Sequence, residues 1–424
     1  MNQRIKASDI LIVGAGPAGA TASMWFSKHQ IPHTIIDKSA FPRDKVCGDA
    51  ISGKVYSILK QVEPEVWNQL HAQTEAALAT YGVRFSAPNG KSLDIHFKEI
   101  EREVKETGKT QTLPSGFVMK RLDFDNFLFE KLDPTYADIH LNTTAKHLER
   151  QGDGRIEAVL QNGKGEIKLQ PKVVIGADGE RSIVNKQLAQ YKNSDEHFAA
   201  AVRAYYTNVS GMTAGNLIEL HYIKEVVPGY LWIFPLPNGG CNVGMGILSS
   251  EAKKGKRNLR KELVEQLENH PRFKERFRDA KLEGKILGWG LPLGSKKRTM
   301  SGDNYILTGD AASLVDPLTG EGIGNAIISG KYAAVYAMEA FEANDFSASF
   351  FTRYDQMIHK KLRDELRLSH ALQKLGTRPW LINALFNKAV RSKEMQQALS
   401  MMFVDIDLRK QLKNPLFYLK ILFS

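Results

Sequence analysis

The chain has 424 residues, enough for two or three domains, and its hydrophobic content of 42% and charged content of 25% are ordinary for a globular protein. Only two cysteines occur, which excludes a disulfide framework, and no zinc-ligand spacing appears, so we expect no metal site. The formal charge of +11 suits an anionic partner, but the basic clusters lack interleaved aromatic residues, so we expect no nucleic-acid partner.

The first element is a glycine turn close to the N-terminus. An apolar run, Ile10 to Val13, predicts a buried strand, and Gly14, Gly16 and Gly19 follow it. In such a turn the first glycine permits the bend, the second lets the backbone approach a pyrophosphate, and the third lets the next helix pack on the strand. Pro17 suits the first turn of that helix, whose free N–H groups favour a phosphate. The pattern predicts a dinucleotide site.

A second apolar run supports this interpretation. His33 to Ile36 ends on Asp37, about twenty residues after the glycines, where an acidic side chain takes ribose hydroxyls. The irregular loop that follows, residues 38–50, brings Arg43 and Cys47 close together. Arg43 either contacts a phosphate or belongs to a basic surface loop, and position alone leaves both open.

The middle of the chain alternates between helical and strand patterns. Residues 51–78 look helical, and residues 81–97 alternate as two strands around a turn. Arg121 begins a further helix, where it either faces a cofactor or lies at a solvent-exposed helix end. The buried run Val173 to Ile175 enters the glycine turn Gly176 to Ser182, and α/β sheets bind ligands at such strand ends.

From residue 197 to residue 247 the pattern changes to long alternating strands, which predicts an antiparallel sheet. Tyr230, Trp232 and Phe234 alternate there, so their rings point to one face. The rings either fill the core or line a substrate pocket.

A last buried strand, residues 305–307, leads into a second glycine-rich segment. Asp310 lies at the strand end, and Gly320, Gly322 and Gly324 precede a long helix. A helix start of this kind suits an anionic or electron-rich ring edge.

The 75 residues from Phe350 carry 14 Lys and Arg against 6 Asp and Glu, a net charge of +8, and they end in the apolar run Pro415 to Phe423. Apolar bulk with positive charge is typical of a surface that lies on an anionic bilayer, although packing on the protein's own helices explains it equally well. The first strand begins too early for a signal peptide, and no apolar run is long enough to span a bilayer. We expect a cytoplasmic protein, either free or peripheral on the inner face of the membrane.

Taken together, three segments resemble the FAD-dependent oxidoreductases of the para-hydroxybenzoate hydroxylase type. The resemblance rests on Gly14 to Gly19 with Asp37, on Gly176 to Ser182, and on Gly309 through Gly324. The group's order of motifs is kept from one end of the FAD-binding part to the other.

Within that group, two further segments are similar to the geranylgeranyl reductases. The run R-D-K-V-C-G at residues 43–48 resembles their loop with Lys-x-Cys-Gly, and Y-L-W-I-F-P at residues 230–235 matches most of their P-x-x-Y-x-W-x-F-P motif. The chain departs from that motif at its proline, which falls at Pro228 where Val227 holds the expected position. The Trp-x-Trp-x-Ile-Pro signature of flavin halogenases is absent from the sequence.

The resemblance implies an α/β fold, α+β overall, with a Rossmann-like FAD-binding domain, an antiparallel-sheet substrate domain and a C-terminal helical region. The FAD-binding domain would be discontinuous, since the substrate domain is inserted into it. The implied boundaries are residues 1–80, 110–195 and 288–345 for FAD binding, residues 81–109 and 196–287 for substrate, and residues 346–424 for the helical region.

The resemblance also implies an activity: a reductase that transfers hydride from reduced flavin to a C=C bond of an isoprenoid or lipid-like substrate. The alternative is an NAD(P)H-dependent flavin monooxygenase that hydroxylates an aromatic or polyketide-like substrate. No second G-x-G-x-x-G follows a strand, so electrons would come from transiently bound NAD(P)H or from ferredoxin. The oligomeric state is left open.

By the same resemblance, residue roles can be assigned. Cys47 would be catalytic, and the rings of Tyr230, Trp232 and Phe234 would contact the substrate. The residues expected to bind FAD lie in the glycine turns and their adjoining loops: Gly14, Gly16, Pro17, Ala18, Gly19, Asp37, Lys38, Arg43, Cys47, Gly48, Arg121, Asp178, Gly179, Gly309, Asp310, Pro317, Gly320, Gly322, Ile323 and Gly324.

Overall fold

The structure is a computed structural model that describes residues 6–63, 65–73, 75–96, 100–104, 109–113, 116–392 and 396. The strands of this part of the chain are, in order, β1 (Ile10–Val13), β2 (His33–Ile36), β3 (Ala50–Ile51), β4 (Ala77–Thr80), β5 (Gly82–Ser86), β6 (Ser92–His96), β7 (Ile100–Val104), β8 (Lys109–Leu113), β9 (Gly116–Met119), β10 (Ala137–His140), β11 (Thr144–Arg150), β12 (Ile156–Asn162), β13 (Gly165–Leu169), β14 (Val173–Gly176), β15 (Phe198–Thr207), β16 (Ile218–His221), β17 (Tyr230–Pro235), β18 (Cys241–Leu248), β19 (Lys281–Pro292), β20 (Ser301–Gly302) and β21 (Tyr305–Leu307).

The α-helices of the same residues connect and cover these strands. They are α1 (Pro17–Lys28), α2 (Gly53–Val62), α3 (Val66–His71), α4 (Arg121–Phe129), α5 (Ser249–Lys254), α6 (Leu259–Asn269), α7 (Lys274–Phe277), α8 (Ile323–Ala343), α9 (Ala348–Leu375) and α10 (Pro379–Ala389). None of the helices in these ranges combines the length and the apolar character needed to cross a membrane.

A six-stranded sheet in the order β10-β2-β1-β14-β21-β20 forms the first half of the molecule. Its strands are parallel except for β20. Each of the four residues of β1 is buried, as expected for a parallel strand with helices on both faces. The carboxyl ends of β1, β2, β14 and β21 meet at one edge, where doubly wound sheets bind their ligands.

A seven-stranded, mostly antiparallel sheet in the order β19-β15-β18-β17-β16-β5-β6 forms the second half. Helices α6 and α7 cover one of its faces through apolar side chains such as Leu263 and Phe277. The strands β5 and β6 come from residues 82–96, far earlier in the chain than the rest, and β5 joins β16 in parallel. The antiparallel sheet predicted for residues 197–247 is therefore confirmed.

The helical pattern over residues 51–78 is only partly right. The structure divides it into the end of β3, the helices α2 and α3, and the start of β4. Helix α2 ends where Glu63 adopts an extended backbone, as a residue that precedes a proline prefers. The domain boundaries stay a prediction.

Candidate active site

A cavity of about 820 Å³ lies where the two large sheets face each other. Its size falls within the range of cofactor and small-molecule sites. Glycine turns at the ends of the parallel strands form one wall, which is mostly polar. The other wall is apolar and comes from β15, β16, β17 and β19; its side chains include Ile218, Leu220, Leu287 and Leu291.

The first glycine turn has the geometry that the sequence predicts. Gly14 has a φ of +101°, and a Cβ placed there would lie 2.5 Å from the carbonyl oxygen of Ala177. A Cβ at Gly19 would collide with the carbonyl oxygen of Gly14, so α1 approaches β1 only because Gly19 has no side chain. Gly16 lines the cavity together with Pro17 and Ala18.

Asp37 and Arg43 lie beside this turn. One carboxylate oxygen of Asp37 accepts the N–H of Ala15 at 3.0 Å, and the other accepts that of Ser39 at 2.9 Å. The Arg43 guanidinium is 3.4 Å from Asp37 and donates to Asp125 at 3.0 Å. Arg43 is therefore held over the glycine turn, and its contact with a phosphate stays a prediction.

Arg121 is buried at the start of α4, so the alternative of a solvent-exposed helix end is wrong. Its Nε and Nη2 donate to the two carboxylate oxygens of Asp125 at 2.6 and 2.8 Å, and its guanidinium faces the Cys47 sulfur. Burial alone would lower the Arg121 pKa, but Asp125 and Cys47 outweigh it and raise the pKa. Asp125 was not among the predicted site residues; its spacing of four from Arg121 on a helix was the available signal.

The loop that carries Cys47 lies directly against the aromatic residues of β17. Cys47 is half-buried and lines the cavity. A Cβ at Gly48 would lie 2.8 Å from Cε2 of Phe234, so the loop can lie this close only with glycine there. Tyr230, Trp232 and Phe234 all line the cavity, and they also belong to or pack against a buried hydrophobic cluster, so both alternatives describe them; their contact with substrate stays a prediction.

Polar contacts fix the rings of this wall. The Trp232 indole N–H donates to Oδ1 of Asn242 at 2.8 Å, and the Tyr230 hydroxyl donates to the carbonyl oxygen of Thr319. A Cβ at Gly244 would collide with the Trp232 ring, so this glycine on β18 makes the space that the indole occupies. Neither Asn242 nor Gly244 was among the predicted residues.

Asp49 is a further site residue that the sequence did not reveal. It is fully buried, lines the cavity and has a φ of +69°. Its carboxylate accepts the N–H of Arg121 at 3.2 Å, the Tyr205 hydroxyl at 2.8 Å and the Asn242 amide at 2.7 Å. Burial raises the pKa of Asp49 to about 6, against the lowering effect of these donors. The only local signal was an acid directly after Cys-Gly.

The second glycine segment also reaches the cavity. Asp310 lines it and lies 3.4 Å from the Lys45 ammonium. The N–H groups of Gly320, Glu321 and Gly324 donate to Asp316, Thr319 and Glu321, respectively. In the described part of the chain we find no partner for the N–H groups of Gly322 and Ile323, and both residues line the cavity. These two N–H groups are the donors available at the start of α8.

The remaining predicted residues fall into two groups. Lys38, Asp178, Gly179, Gly309 and Gly320 line the cavity, whereas Gly19, Pro317 and Gly324 do not and instead contact neighbouring chain segments. Oδ2 of Asp178 accepts the N–H of Ile183 at 2.6 Å, while its Oδ1 is buried without a partner among the described residues. This oxygen and the N–H groups of Gly322 and Ile323 belong to residues that line one cavity, and a dinucleotide can satisfy such polar groups.

This polar wall, with its glycine turn, acidic strand end and free helix N-terminus, fits FAD. The sequence model of a family described as the FAD binding domain matches residues 7–356. The chain belongs to this FAD-binding family. Two of its relatives are also similar over most of their length: digeranylgeranylglycerophospholipid reductase 2 of Methanosphaera stadtmanae is 30% identical over 82% of both chains, and the menaquinone reductase of Mycobacterium tuberculosis is 28% identical over 91% of this chain and 90% of its own.

Solved structures show the same fold. A geranylgeranyl bacteriochlorophyll reductase-like protein of Thermoplasma acidophilum superposes with a TM-score of 0.78 at 23% identity, covering 96% of this chain and 99% of its own. The flavin-dependent halogenase CmlS reaches a TM-score of 0.70 at 19% identity, over 86% of this chain and 64% of its own. The FAD-binding chain is thus an FAD-dependent oxidoreductase similar to geranylgeranyl-type reductases, with a cavity suited to a small hydrophobic substrate.

Proposed function

We propose that the protein transfers hydride from reduced FAD to a carbon–carbon double bond of an isoprenoid lipid. The observation that carries the proposal is the wall of Tyr230, Trp232 and Phe234, which lies beside the Cys47 loop and lines the same cavity as the glycine turns. Two relatives are named for digeranylgeranylglycerophospholipid and menaquinone, which are both isoprenoid lipids. Apolar rings contribute binding energy to such a chain without needing polar partners.

Within this proposal the polar wall holds the cofactor. FAD, when bound, supplies the hydride. The backbone of Gly14 and Gly16 would approach the pyrophosphate, Asp37 would take the ribose hydroxyls, and the N–H groups of Gly322 and Ile323 would stabilise negative charge on the reduced ring. The sequence predicted this last role for residues 320–324 as a whole; the N–H groups of Gly320, Glu321 and Gly324 have partners within the chain, which favours the other two donors.

Cys47 is the proposed proton donor. Reduction of the alkene adds the hydride to one carbon and a proton to the other, so that both electrons and the proton are accounted for. The thiol of Cys47 would give that proton, and the Arg121 guanidinium that faces its sulfur would stabilise the resulting thiolate. Water entering after product release would restore the thiol.

The electron donor and the location belong to the same proposal. Transiently bound NAD(P)H or ferredoxin would supply the electrons. A lipid substrate also requires access to a membrane, and peripheral attachment to an anionic surface would provide it. Trp380 on α10 is 64% exposed and is followed by Lys388 and Arg391, a combination found at membrane interfaces.

Anaerobic product analysis tests the function. The FAD-loaded protein would be reduced with dithionite and mixed with digeranylgeranylglycerophospholipid or with menaquinone. The lipid would then be extracted and its molecular mass measured by mass spectrometry. We expect two added hydrogens per reduced double bond. For menaquinone the extract is also exposed to air, because a reduced quinone ring reoxidises whereas a saturated chain keeps its hydrogens.

The monooxygenase alternative predicts a different product. Such an enzyme would need oxygen, consume NAD(P)H and add one oxygen atom to an aromatic or polyketide-like substrate. An oxygenated product, together with no anaerobic change in either lipid, would overturn the reductase proposal.

A further inference from the structure

Asp49 is a buried carboxylate without a cationic partner. Among the described residues it makes no ion pair: its three donors are the Arg121 backbone N–H, the Tyr205 hydroxyl and the Asn242 amide. The nearby Arg203 guanidinium donates instead to both oxygens of Asp44, at 2.9 and 2.7 Å. Burial of a carboxylate costs free energy, and the three hydrogen bonds and the charge of Arg203 offset this cost for Asp49 only in part.

A second buried carboxylate, Glu219, provides a comparison, because basic side chains contact it directly. Glu219 on β16 accepts two hydrogen bonds of 2.8 Å from the Arg276 guanidinium and a third contact from His221 at 3.0 Å. Although burial raises its pKa, these partners outweigh burial and lower the pKa to about 2. The pKa of Asp49 is shifted in the opposite direction, to about 6.

Asn242 connects Asp49 both to the Cys47 loop and to Trp232 of the aromatic wall. Its amide nitrogen donates to Asp49 at 2.7 Å and to the carbonyl oxygen of Cys47 at 2.8 Å. Its amide oxygen accepts the Trp232 indole N–H at 2.8 Å. One side chain on β18 therefore ties the Cys47 loop to the aromatic wall.

The charge on Asp49 determines which way this amide points. An ionised carboxylate can only accept hydrogen bonds, so it must face the nitrogen of Asn242 and leave the oxygen for Trp232. A protonated Asp49 can donate, which allows the amide to turn over. Turning it would place a donor against the Trp232 N–H and an acceptor against the Cys47 carbonyl, and both contacts would be lost.

We propose that ionised Asp49 is the positioning residue that orients Asn242 and thereby holds the Cys47 loop against the Trp232 wall. Its effect on turnover rests on the proposed function, but its effect on the loop does not. The groups that act on Asp49 are Tyr205 and Arg203 on β15, Asn242 on β18 and the backbone N–H of Arg121 on α4. On its own loop, Asp44 contacts Arg203, and the carbonyl oxygen of Cys47 contacts Asn242. The loop should therefore loosen as the pH falls through about 6.

The reactivity of Cys47 gives a readout that requires no turnover. The FAD-loaded protein has two thiols, and Cys241 is fully buried, so alkylation by N-ethylmaleimide followed by peptide mass spectrometry reports the Cys47 loop. We expect Asp49→Asn to raise the alkylation rate at pH 8 by about tenfold, since the hydrogen bonds lost are worth about 1.4 kcal/mol. Asparagine also tolerates the left-handed backbone of this position.

Asn242→Ala separates positioning from a direct effect of the Asp49 charge. It removes the hydrogen bonds that join the Cys47 loop to Trp232 and leaves the charge of Asp49 in place. It should raise the Cys47 rate as much as Asp49→Asn, and the double variant should add nothing further. Asp355→Asn is the matched control: Asp355 is another buried carboxylate whose pKa burial raises to about 6, and its contacts are with Met300 and Ser301. This variant should alkylate like the wild type.

If Asp49→Asn does not retain FAD, Tyr205→Phe tests whether Asp49 positions the Cys47 loop. The Tyr205 hydroxyl lowers the Asp49 pKa, so its removal should move the pH at which the Cys47 loop opens upward relative to the wild type. Loop opening is measured as the alkylation rate of Cys47 divided by that of glutathione at the same pH, because alkylation of any thiol slows as the pH falls. Wild-type protection of Cys47 in folded, FAD-loaded Asp49→Asn, or an unmoved midpoint in Tyr205→Phe, would overturn the proposal. Absence of turnover with either lipid, alongside the expected alkylation pattern, would count against the proposed reductase function alone.

Discussion

The two walls of the cavity are made in different ways. The polar wall is built from backbone: Gly14 and Gly16 lie in one short turn, and the free N–H groups come from the start of α8. The opposite wall is built from side chains, and Trp232 keeps its position through Asn242 and the space left by Gly244. Changes to the first wall should therefore cost the cofactor, whereas changes to the second should cost turnover and leave the cofactor bound.

The largest expected effect is on the backbone wall. Gly16 has an ordinary extended backbone, with φ of −70° and ψ of −173°, so Gly16→Val adds bulk without backbone strain. The new side chain would point towards Arg43 and the pyrophosphate, and the clash should weaken FAD binding by about a hundredfold or more. The flavin absorbance of the purified protein measures this.

Gly152→Val is the control, because a Cβ at Gly152 meets no other atom within 4 Å. A yellow Gly16→Val variant with wild-type affinity would mean that this wall does not hold the pyrophosphate.

The second effect concerns the stability cost of Asp49. Its pKa is about 6 in the folded protein against 3.8 in the unfolded chain, so the folded state keeps a proton that the unfolded state has lost between these pH values. The contribution of Asp49 to the free energy of unfolding is therefore greatest below pH 3.8 and falls by about 3 kcal/mol as the pH rises through about 6.

Asp49→Asn removes this pH dependence. The unfolding temperature of the variant minus that of the wild type should therefore be larger at pH 8 than at pH 4. Thermal unfolding of both proteins with excess FAD measures it. A pH dependence identical in the two proteins would show that Asp49 carries no such cost.

The third effect is on turnover. Cys47→Ser should slow lipid reduction by about tenfold to a hundredfold, because a hydroxyl gives up its proton far less readily than a thiol beside Arg121. FAD content should be unchanged. Cys241→Ala serves as the control, since Cys241 is buried and lies outside the cavity lining. Full activity of Cys47→Ser would leave Cys47 with a packing role.

The smallest effect concerns the membrane. Trp380→Ala should reduce flotation with anionic vesicles at low salt by several-fold, and high salt should reduce it further. Leu282→Ala on β19 is the control, since Leu282 is also an exposed apolar residue, at 44%. The apolar run beyond Asn414, for which the sequence suggests the same role, lies outside the described residues. Equal flotation of the two variants would show that Trp380 on α10 does not contribute to membrane binding.

The sequence predicted the backbone wall better than the side-chain wall for a physical reason. The positive φ of Gly14 and the close approach of Gly19 to Gly14 are local requirements, since the turn and the helix it opens are consecutive in the chain. A positive φ or a close contact between backbone segments excludes most other residue types, so the requirement is visible in the sequence as a glycine. Asp37 follows within the same unit, so its placement could also be predicted.

The network around Asp49 could not be predicted, because it depends on pairing between distant strands. Tyr205 and Asn242 are 156 and 193 residues away from Asp49 along the chain. Their side chains meet Asp49 only because β15 and β18 are neighbours in the antiparallel sheet, at a register that no local pattern specifies. The ambiguity of Arg121 had the same origin, since burial depends on what covers the start of α4.

The most direct test of the account is whether an isoprenoid lipid alone reoxidises the flavin in the absence of oxygen. FAD-loaded protein would be reduced with a stoichiometric amount of dithionite, mixed anaerobically with digeranylgeranylglycerophospholipid, and followed by flavin absorbance. The account predicts that the oxidised spectrum returns at a rate that depends on lipid concentration, and that Cys47→Ser returns it more slowly. Flavin that stays reduced until oxygen is admitted, with the lipid recovered unchanged, would contradict it.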